Sequence, residues 1–337
     1  MAVKSSSMTV GARDVRIFYL AYSHNIPSGG QKATYQHVET LNKYGYDAYV
    51  VHARAEDQVT WFSSTAKVID RETFTGLYSP RDFVVVPEDL GTNIIWVPGK
   101  KVIYNKGIAL GFRALGLDFK RVTPYEHREV VAILAASPHN ARHLQFACPD
   151  KDVYVTFLPI DLQELPFTRL REKSRLIAYI PKNTNLLSSV LNMALCRSHR
   201  KLNSLSSFDF VELGKLSRQD YVSVLGRALV VVFLNVEEGK GGAPVEAMAC
   251  GSLVVGCGDE ILEEVTPPST QLKVLNVIPI VKRLEEITAS FPDRISAFDE
   301  EADEGRRYAS AFTREIHEQS VLAAWRQIVD KWGSTIV

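Results

Sequence analysis

Residues 231–256 read VVFLNVEEGKGGAPVEAMACGSLVVG, and the order of residue types in this stretch decides the fold. An apolar, β-rich run, Leu229 to Leu234, has the length and composition of a buried strand. It leads to an acidic residue, Glu238, and then to the turn Gly239-Lys240-Gly241-Gly242. Glycines there let backbone N–H groups approach a ligand with no Cβ in the way. Pro244 stands where a helix would start, a position that tolerates its missing N–H. Glu246 follows in the expected first turn, Cys250-Gly251 ends the helix, and Leu253 to Val255 opens another strand. The free N–H groups and the dipole at such a helix start suit a phosphate. Two carboxylates flank the turn, and carboxylates accept hydrogen bonds from sugar hydroxyls. The strand–loop–helix is therefore built for an anionic, hydroxyl-rich ligand such as a nucleotide sugar.

The same alternation runs outward in both directions. Val15 to Ala21 reads as a buried first strand, and Ser23 to Gly30 as a loop. Tyr35, Val38, Leu41 and Tyr44 recur at three-residue steps on a helix that Gly45 ends. Ala48 to His52 is the next strand, and a βαβ opening favours a parallel sheet. Further strands are expected at Phe83 to Pro87, Ile94 to Val97, Lys101 to Tyr104 and Ile133 to Ser137. Residues 159–174 carry two prolines, mixed charge and no period, which marks a linker. A second α/β series starts at Arg175 to Ile180 and includes a strand at Phe208 to Leu213 and a helix at Arg218 to Arg227. Residues 303–335 read as helical, with Trp325 and Trp332 at half-buried positions. The expected domains are 1–160, a linker at 161–174, and 175–337, the terminal helix being a candidate to pack back on the first domain. In two βα domains, ligands gather outside the carboxyl ends of the strands.

The 337 residues suffice for two domains of ordinary size. Lys and Arg total 39 and Asp and Glu total 39, so bulk charge makes no case for nucleic acid. The four cysteines, Cys148, Cys196, Cys250 and Cys257, have no metal-ligand spacing and read as reduced thiols of a cytoplasmic protein. No apolar run is long enough to span a bilayer, so any membrane contact is expected to be peripheral, at the inner face. The N-terminus has no apolar stretch of the kind a signal peptide carries. The G-x-G-x-x-G fingerprint, the P-loop, G-x-S-x-G and zinc patterns are all absent from the sequence.

The run E-G-K-G-G-A-P-V-E-A-M-A-C-G, from Glu238 to Gly251, resembles the E-G-F-G-L-P-P-L-E-A-M-A-C-G signature of retaining GT-B glycosyltransferases in glycosyltransferase family four. Two glutamates with seven residues between them, two glycines, a proline and the following helix are fixed together. The resemblance implies an α/β GT-B fold, two Rossmann-like βαβ domains facing a central cleft. It implies retaining transfer of a hexose from a nucleotide-diphosphate sugar, UDP-glucose on base rates, to a saccharide or lipid-linked acceptor in polysaccharide biosynthesis. Glu238 and Lys182 are the catalytic candidates it gives. Glu238 would hold the donor sugar hydroxyls. Lys182, in Tyr179-Ile180-Pro181-Lys182-Asn183, stands at the arginine of a Y-M-P-R-K motif and would stabilise the leaving diphosphate. Asn183 departs from that motif, where a second basic residue is usual, and Lys240 replaces the usual phenylalanine.

The donor-binding candidates are Glu246 for the ribose hydroxyls, the backbone of Gly241, Gly242 and Ala243, the helix start near Val245, and Lys240. Gly29 and Gly30 in the first loop, and Lys215 and Leu216 at the turn that meets the nucleobase in the family, complete the set. Val102 to Gly107 resembles the family's I-F-N-Q-N segment and gives Asn105 and Lys106 as acceptor-side candidates, with His127 a further one and the loop at Glu88 a contributor. His139 and His143 have metal-ligand spacing, yet Ser137-Pro138 puts His139 at a helix start with no carboxylate partner. No cofactor or metal is expected beyond the nucleotide-sugar co-substrate. Two other readings stay open: another GT-B chemistry such as sugar-nucleotide epimerisation, and a non-catalytic nucleotide-sugar-binding protein.

Overall fold

The structure, a computed structural model, describes residues 15–336 other than His24, Ile26, Pro27, Lys215 and the segments 114–122, 181–183, 202–203, 235–241 and 258–277. The chain divides into two compact units, residues 1–158 with 315–337, and residues 159–314.

The first unit is a parallel sheet in the order β3-β2-β1-β4-β5-β6-β7. Its strands are β1 (Arg16–Leu20), β2 (Asp47–His52), β3 (Val68–Asp70), β4 (Phe83–Pro87), β5 (Lys100–Asn105), β6 (Val130–Ala135) and β7 (Val153–Val155). Helices α1 (Gly29–Lys43), α2 (Arg71–Leu77), α3 (Ile108–Arg113) and α4 (Pro138–Ala147) connect them. β5 and β6 are buried at every residue. A parallel sheet covered on both faces requires this, and it explains the continuous apolar run of β6. Successive side chains leave a strand on opposite faces. Ile17 and Tyr19 accordingly enter one core cluster, with α1 and the terminal helix, and Phe18 enters the other, with Phe74 and Tyr125.

The terminal helix, Arg314–Trp332, completes the first of these cores. Trp325 is fully buried, where the sequence suggested half burial, and its Nε1 donates to Tyr19 Oη at 2.9 Å. The helix ends on a buried cation: Lys100 Nζ donates to the carbonyls of Trp332 and Thr335, each at 2.9 Å. A positive charge at a helix C-terminus answers both the unsatisfied carbonyls and the dipole. The strand expected at Ile94 to Val97 is instead the end of a 3-10 segment, Glu88–Trp96. Only Ile94 of its apolar residues is buried, while Ile95 and Trp96 are exposed, so the run lacks the two covered faces a central strand needs.

The second unit has its own parallel sheet, β8 (Ser174–Tyr179), β9 (Asp209–Glu212), β10 (Ala228–Leu234) and β11 (Leu253–Cys257), in the order β11-β10-β8-β9. Around it lie α5 (Thr184–His199), α6 (Arg218–Arg227), α7 (Gly242–Ala249), α8 (Ile278–Ser290) and α9 (Asp299–Ala309). The stretch read as helical over 303–335 holds two helices, α9 and Arg314–Trp332, parted at Ser310 to Thr313. β10 is buried throughout, and Ser217 caps α6 by accepting from Asp220 N.

α7 closes on Gly251 at φ +76°, and a Cβ there would lie 2.6 Å from Thr168 O. Only glycine meets both conditions. Lys173 ties this region together from inside. Its Nζ donates to the carbonyls of Leu225, Gly226 and Cys250 and to Ser252 Oγ, at 2.8–3.2 Å. Burial lowers its pKa to about 8.

Candidate active site

In each sheet the strand order reverses at one place, and an open α/β sheet presents its ligand crevice outside the carboxyl ends of the strands there. In the second unit that place lies between β8 and β10, which pair in parallel, Val231 beside Ala178 and Val232 beside Tyr179. Lys182 and Asn183 come next in the chain after β8, and Glu238, Lys240 and Gly241 after β10. These residues, with Lys215, lie outside the described residues.

The chain is described again from Gly242, where α7 begins. The helix thus starts earlier than expected, with Pro244 as its third residue and Glu246 as its fifth. Proline fits there because the first four N–H groups of a helix have no partner within it. The helix start expected near Val245 therefore lies at Gly242, and Val245 is the fourth helical residue, its side chain buried in the core. Among the described residues, nothing lies within 4 Å of a Cβ built on Gly242. Leu216 is half-buried beside the Ser217 cap of α6.

Glu246 is the centre of a defined polar arrangement. One carboxylate oxygen accepts from Arg218 Nη1 at 2.9 Å, and the other from Tyr221 Oη at 2.7 Å. Arg218 is held on its far side by Glu164, whose Oε2 accepts from Nε at 3.2 Å and Nη2 at 3.1 Å. Burial, and after it the Glu246 charge, push the Tyr221 phenol well above its ordinary pKa, so it remains an O–H donor. Arg218 and Tyr221 lie three residues apart on α6 and so share a face. Sequence reasoning missed both. No motif marks them, and their link to Glu246 depends on α6 packing beside α7.

In the first unit the order reverses between β1 and β4. Gly29 and Gly30 follow β1 and form the first residues of α1 rather than a loop. A Cβ on Gly30 would stand 2.9 Å from Lys106 Cδ, so the glycine makes room for that lysine. Lys106 Nζ lies 2.7 Å from Glu88 Oε2. The other carboxylate oxygen of Glu88 accepts from the backbone N–H of Lys106 at 2.8 Å and of Gly107 at 3.1 Å. The Glu88 side chain has no exposed surface, whereas that of Lys106 is 19% exposed. A buried carboxylate held by this many donors fixes the end of β5 and aims its lysine.

The other acceptor-side expectations change. Asn105 is fully buried, and its amide donates to Tyr125 Oη at 2.8 Å and accepts from Asn140 Nδ2 at 3.1 Å. It braces β5 and has no surface for an acceptor. His127 precedes β6, at the amino edge of the sheet, while Lys106 follows β5, at the carboxyl edge. Adjacent parallel strands of six residues put roughly 20 Å between those edges. His127 Nδ1 accepts from Glu129 N at 3.3 Å, and burial, then Lys101, lowers its pKa. Among the described residues, no group of three or more His, Cys, Asp or Glu side chains is placed to hold a metal. Among them, too, no helix is long and apolar enough to cross a membrane.

No protein-family model matches the chain. It is similar to an alpha-1,6-glucosyltransferase of Actinobacillus pleuropneumoniae serotype 7, 24% identical over 249 residues that make up 71% of each chain. Among solved structures it resembles sucrose-phosphate synthase from Thermosynechococcus elongatus, with a TM-score of 0.66 and 12% identity over 94% of this chain and 100% of the other. It also resembles Anabaena HepE in complex with UDP and glucose, with a TM-score of 0.63 and 12% identity over 93% and 100% of the two chains. The fold is the mixed α/β fold of GT-B glycosyltransferases.

Proposed function

We propose that the chain is a retaining glycosyltransferase that moves glucose from UDP-glucose to a saccharide or lipid-linked acceptor in polysaccharide biosynthesis. The observation that carries this reading is Glu246, a partly exposed carboxylate near the start of α7, behind a wholly buried strand, with both oxygens already oriented. The similarity to an alpha-1,6-glucosyltransferase and to a fold solved with UDP and glucose supports it.

In this reading Glu246 accepts hydrogen bonds from the ribose hydroxyls of the donor. The open N–H groups at Gly242 and Ala243 receive diphosphate or sugar oxygens. Glu238 holds the donor sugar hydroxyls, and Lys182 answers the negative charge that builds as the diphosphate leaves. The bond from the anomeric carbon to the phosphate oxygen breaks, and a bond to the acceptor oxygen forms on the same face. The departing phosphate oxygen takes the acceptor's proton, so no separate general base and no metal enters the scheme. The acceptor is taken by the loops of the first unit, with Lys106 as a contact. The setting is the cytoplasm, with any membrane contact peripheral.

The test is calorimetric titration with UDP, GDP and ADP, followed by turnover of UDP-glucose with product anomers assigned by NMR. Selective binding of UDP, at least tenfold weaker in Glu246→Ala, and a product of unchanged anomeric configuration are the expected results. Absence of binding by all three nucleotides would overturn the donor reading, and an inverted product would overturn retention.

A further inference from the structure

We infer that Arg218 and Tyr221 position the Glu246 carboxylate so that each of its oxygens keeps one acceptor site for a vicinal diol, and that they thereby set the preference of the site for ribose over deoxyribose nucleotides. This rests on the donor reading above and adds residues that the sequence pattern does not mark.

The argument is one of acceptor capacity. An ionised carboxylate has about four lone-pair sites on two oxygens. Arg218 Nη1 takes one on the first oxygen, and Tyr221 Oη takes one on the second. Among the described residues no other donor bonds to either oxygen, so one site per oxygen is left. The two oxygens of a carboxylate are spaced like the two hydroxyls of a cis diol, so the remaining capacity matches a pair of adjacent hydroxyls rather than one.

The geometry also holds still. Arg218 cannot swing away without giving up Glu164, which accepts from its Nε and Nη2. Its guanidinium sits 5.4 Å from the centre of the Tyr221 ring, so the two donors brace one another. The side chain of Glu246 is 18% exposed, enough to be reached by a ligand at one edge. Without the tyrosine hydroxyl, the second oxygen has two vacant sites and no fixed direction. Water or carboxylate rotation then supplies what the second hydroxyl would have offered, and the penalty for lacking that hydroxyl falls.

The experiment compares dissociation constants for UDP and 2′-deoxy-UDP in wild type, Tyr221→Phe, Arg218→Met and Arg218→Lys. Wild type is expected to prefer UDP by roughly ten- to a hundredfold, the range for one hydrogen bond to a charged group. Tyr221→Phe keeps the half-buried ring and removes only the hydroxyl. It should bring the ratio to within about threefold while UDP still binds. Arg218→Met should do the same, and Arg218→Lys should restore part of the ratio, because a single donor can still reach one oxygen. A role confined to folding would shift the melting temperature and leave the ratio alone. An unchanged ratio in both Tyr221→Phe and Arg218→Met overturns the inference, as does a wild type that binds UDP and 2′-deoxy-UDP equally. Failure of the wild type to bind UDP at all overturns the donor reading itself, and the inference with it.

Discussion

The pair Glu88 and Lys106 can be taken apart quantitatively. Lys106→Met removes the ammonium 2.7 Å from a carboxylate that has no exposed surface. Breaking a buried pair by deleting one partner costs about 3–5 kcal/mol, because the other charge stays buried. Here the lower end applies, about 3 kcal/mol, since Glu88 retains the N–H groups of Lys106 and Gly107. Glu88→Gln keeps an oxygen for those N–H groups but turns an amide toward the ammonium. Lys106 can turn to water at its exposed end, so the expected loss is about 1–2 kcal/mol. In the double variant neither charge remains, and the loss should be no larger than for Glu88→Gln alone. The coupling is therefore about 3 kcal/mol. All four tryptophans, Trp61, Trp96, Trp325 and Trp332, belong to the first unit. Urea unfolding followed by tryptophan fluorescence thus reports on the unit that holds the pair. Single losses that add to the double loss within about 0.5 kcal/mol would refute the reasoning.

Three further outcomes are expected. The folded chain releases the Lys173 proton near pH 8 and the unfolded chain only near 10.5, so the unfolded state holds more protons between those values. The penalty of burying that charge is complete below pH 8 and is relieved above it. Wild type should therefore gain up to about 2 kcal/mol relative to Lys173→Met between pH 8 and 10, measured by paired urea titrations; a pH-independent difference would refute this. Gly251→Ala forces a Cβ to 2.6 Å from Thr168 O at positive φ, and should cost at least about 2 kcal/mol in the second unit, seen as a lower calorimetric transition. Trp325→Ala, at a fully buried site, should cost about 3–5 kcal/mol and lower the first unit's transition, read by far-UV dichroism and calorimetry.

Much of the fold is legible where apolar runs are long and bounded. β10 and α6 stand where the sequence puts them, because a seven-residue apolar strand and a capped amphipathic helix have few alternatives. The run at Ile94 misled because an apolar composition does not say which faces will be covered, and only one of its residues is buried in the outcome. β3 and β7 went unseen because each has only three residues, too few for a period to show. The candidate site divides in the same way. Glu246 was legible because its position is written into a local strand–loop–helix. Arg218, Tyr221 and Glu164 join it only through packing between segments far apart in the chain, which spacing does not encode. The family resemblance gives Asn105 and His127 alike as acceptor-side candidates. Only the direction of the strands separates a buried brace at one edge from a histidine at the other.

The helix Arg314–Trp332 has a consequence for how the molecule is made. A ribosome releases the first 158 residues long before the helix that covers the face of Ile17, Tyr19 and Phe83. Residues 159–314 can meanwhile fold, because every strand and helix of their core has already emerged. The N-terminal sheet must wait with the face that α1 shares with the terminal helix only partly covered, a condition that invites chaperones and aggregation. Expressing residues 1–158 alone would make that waiting state permanent. A circular permutant that places residues 315–337 ahead of residue 15 would abolish the wait and let the two units mature in the order of their synthesis.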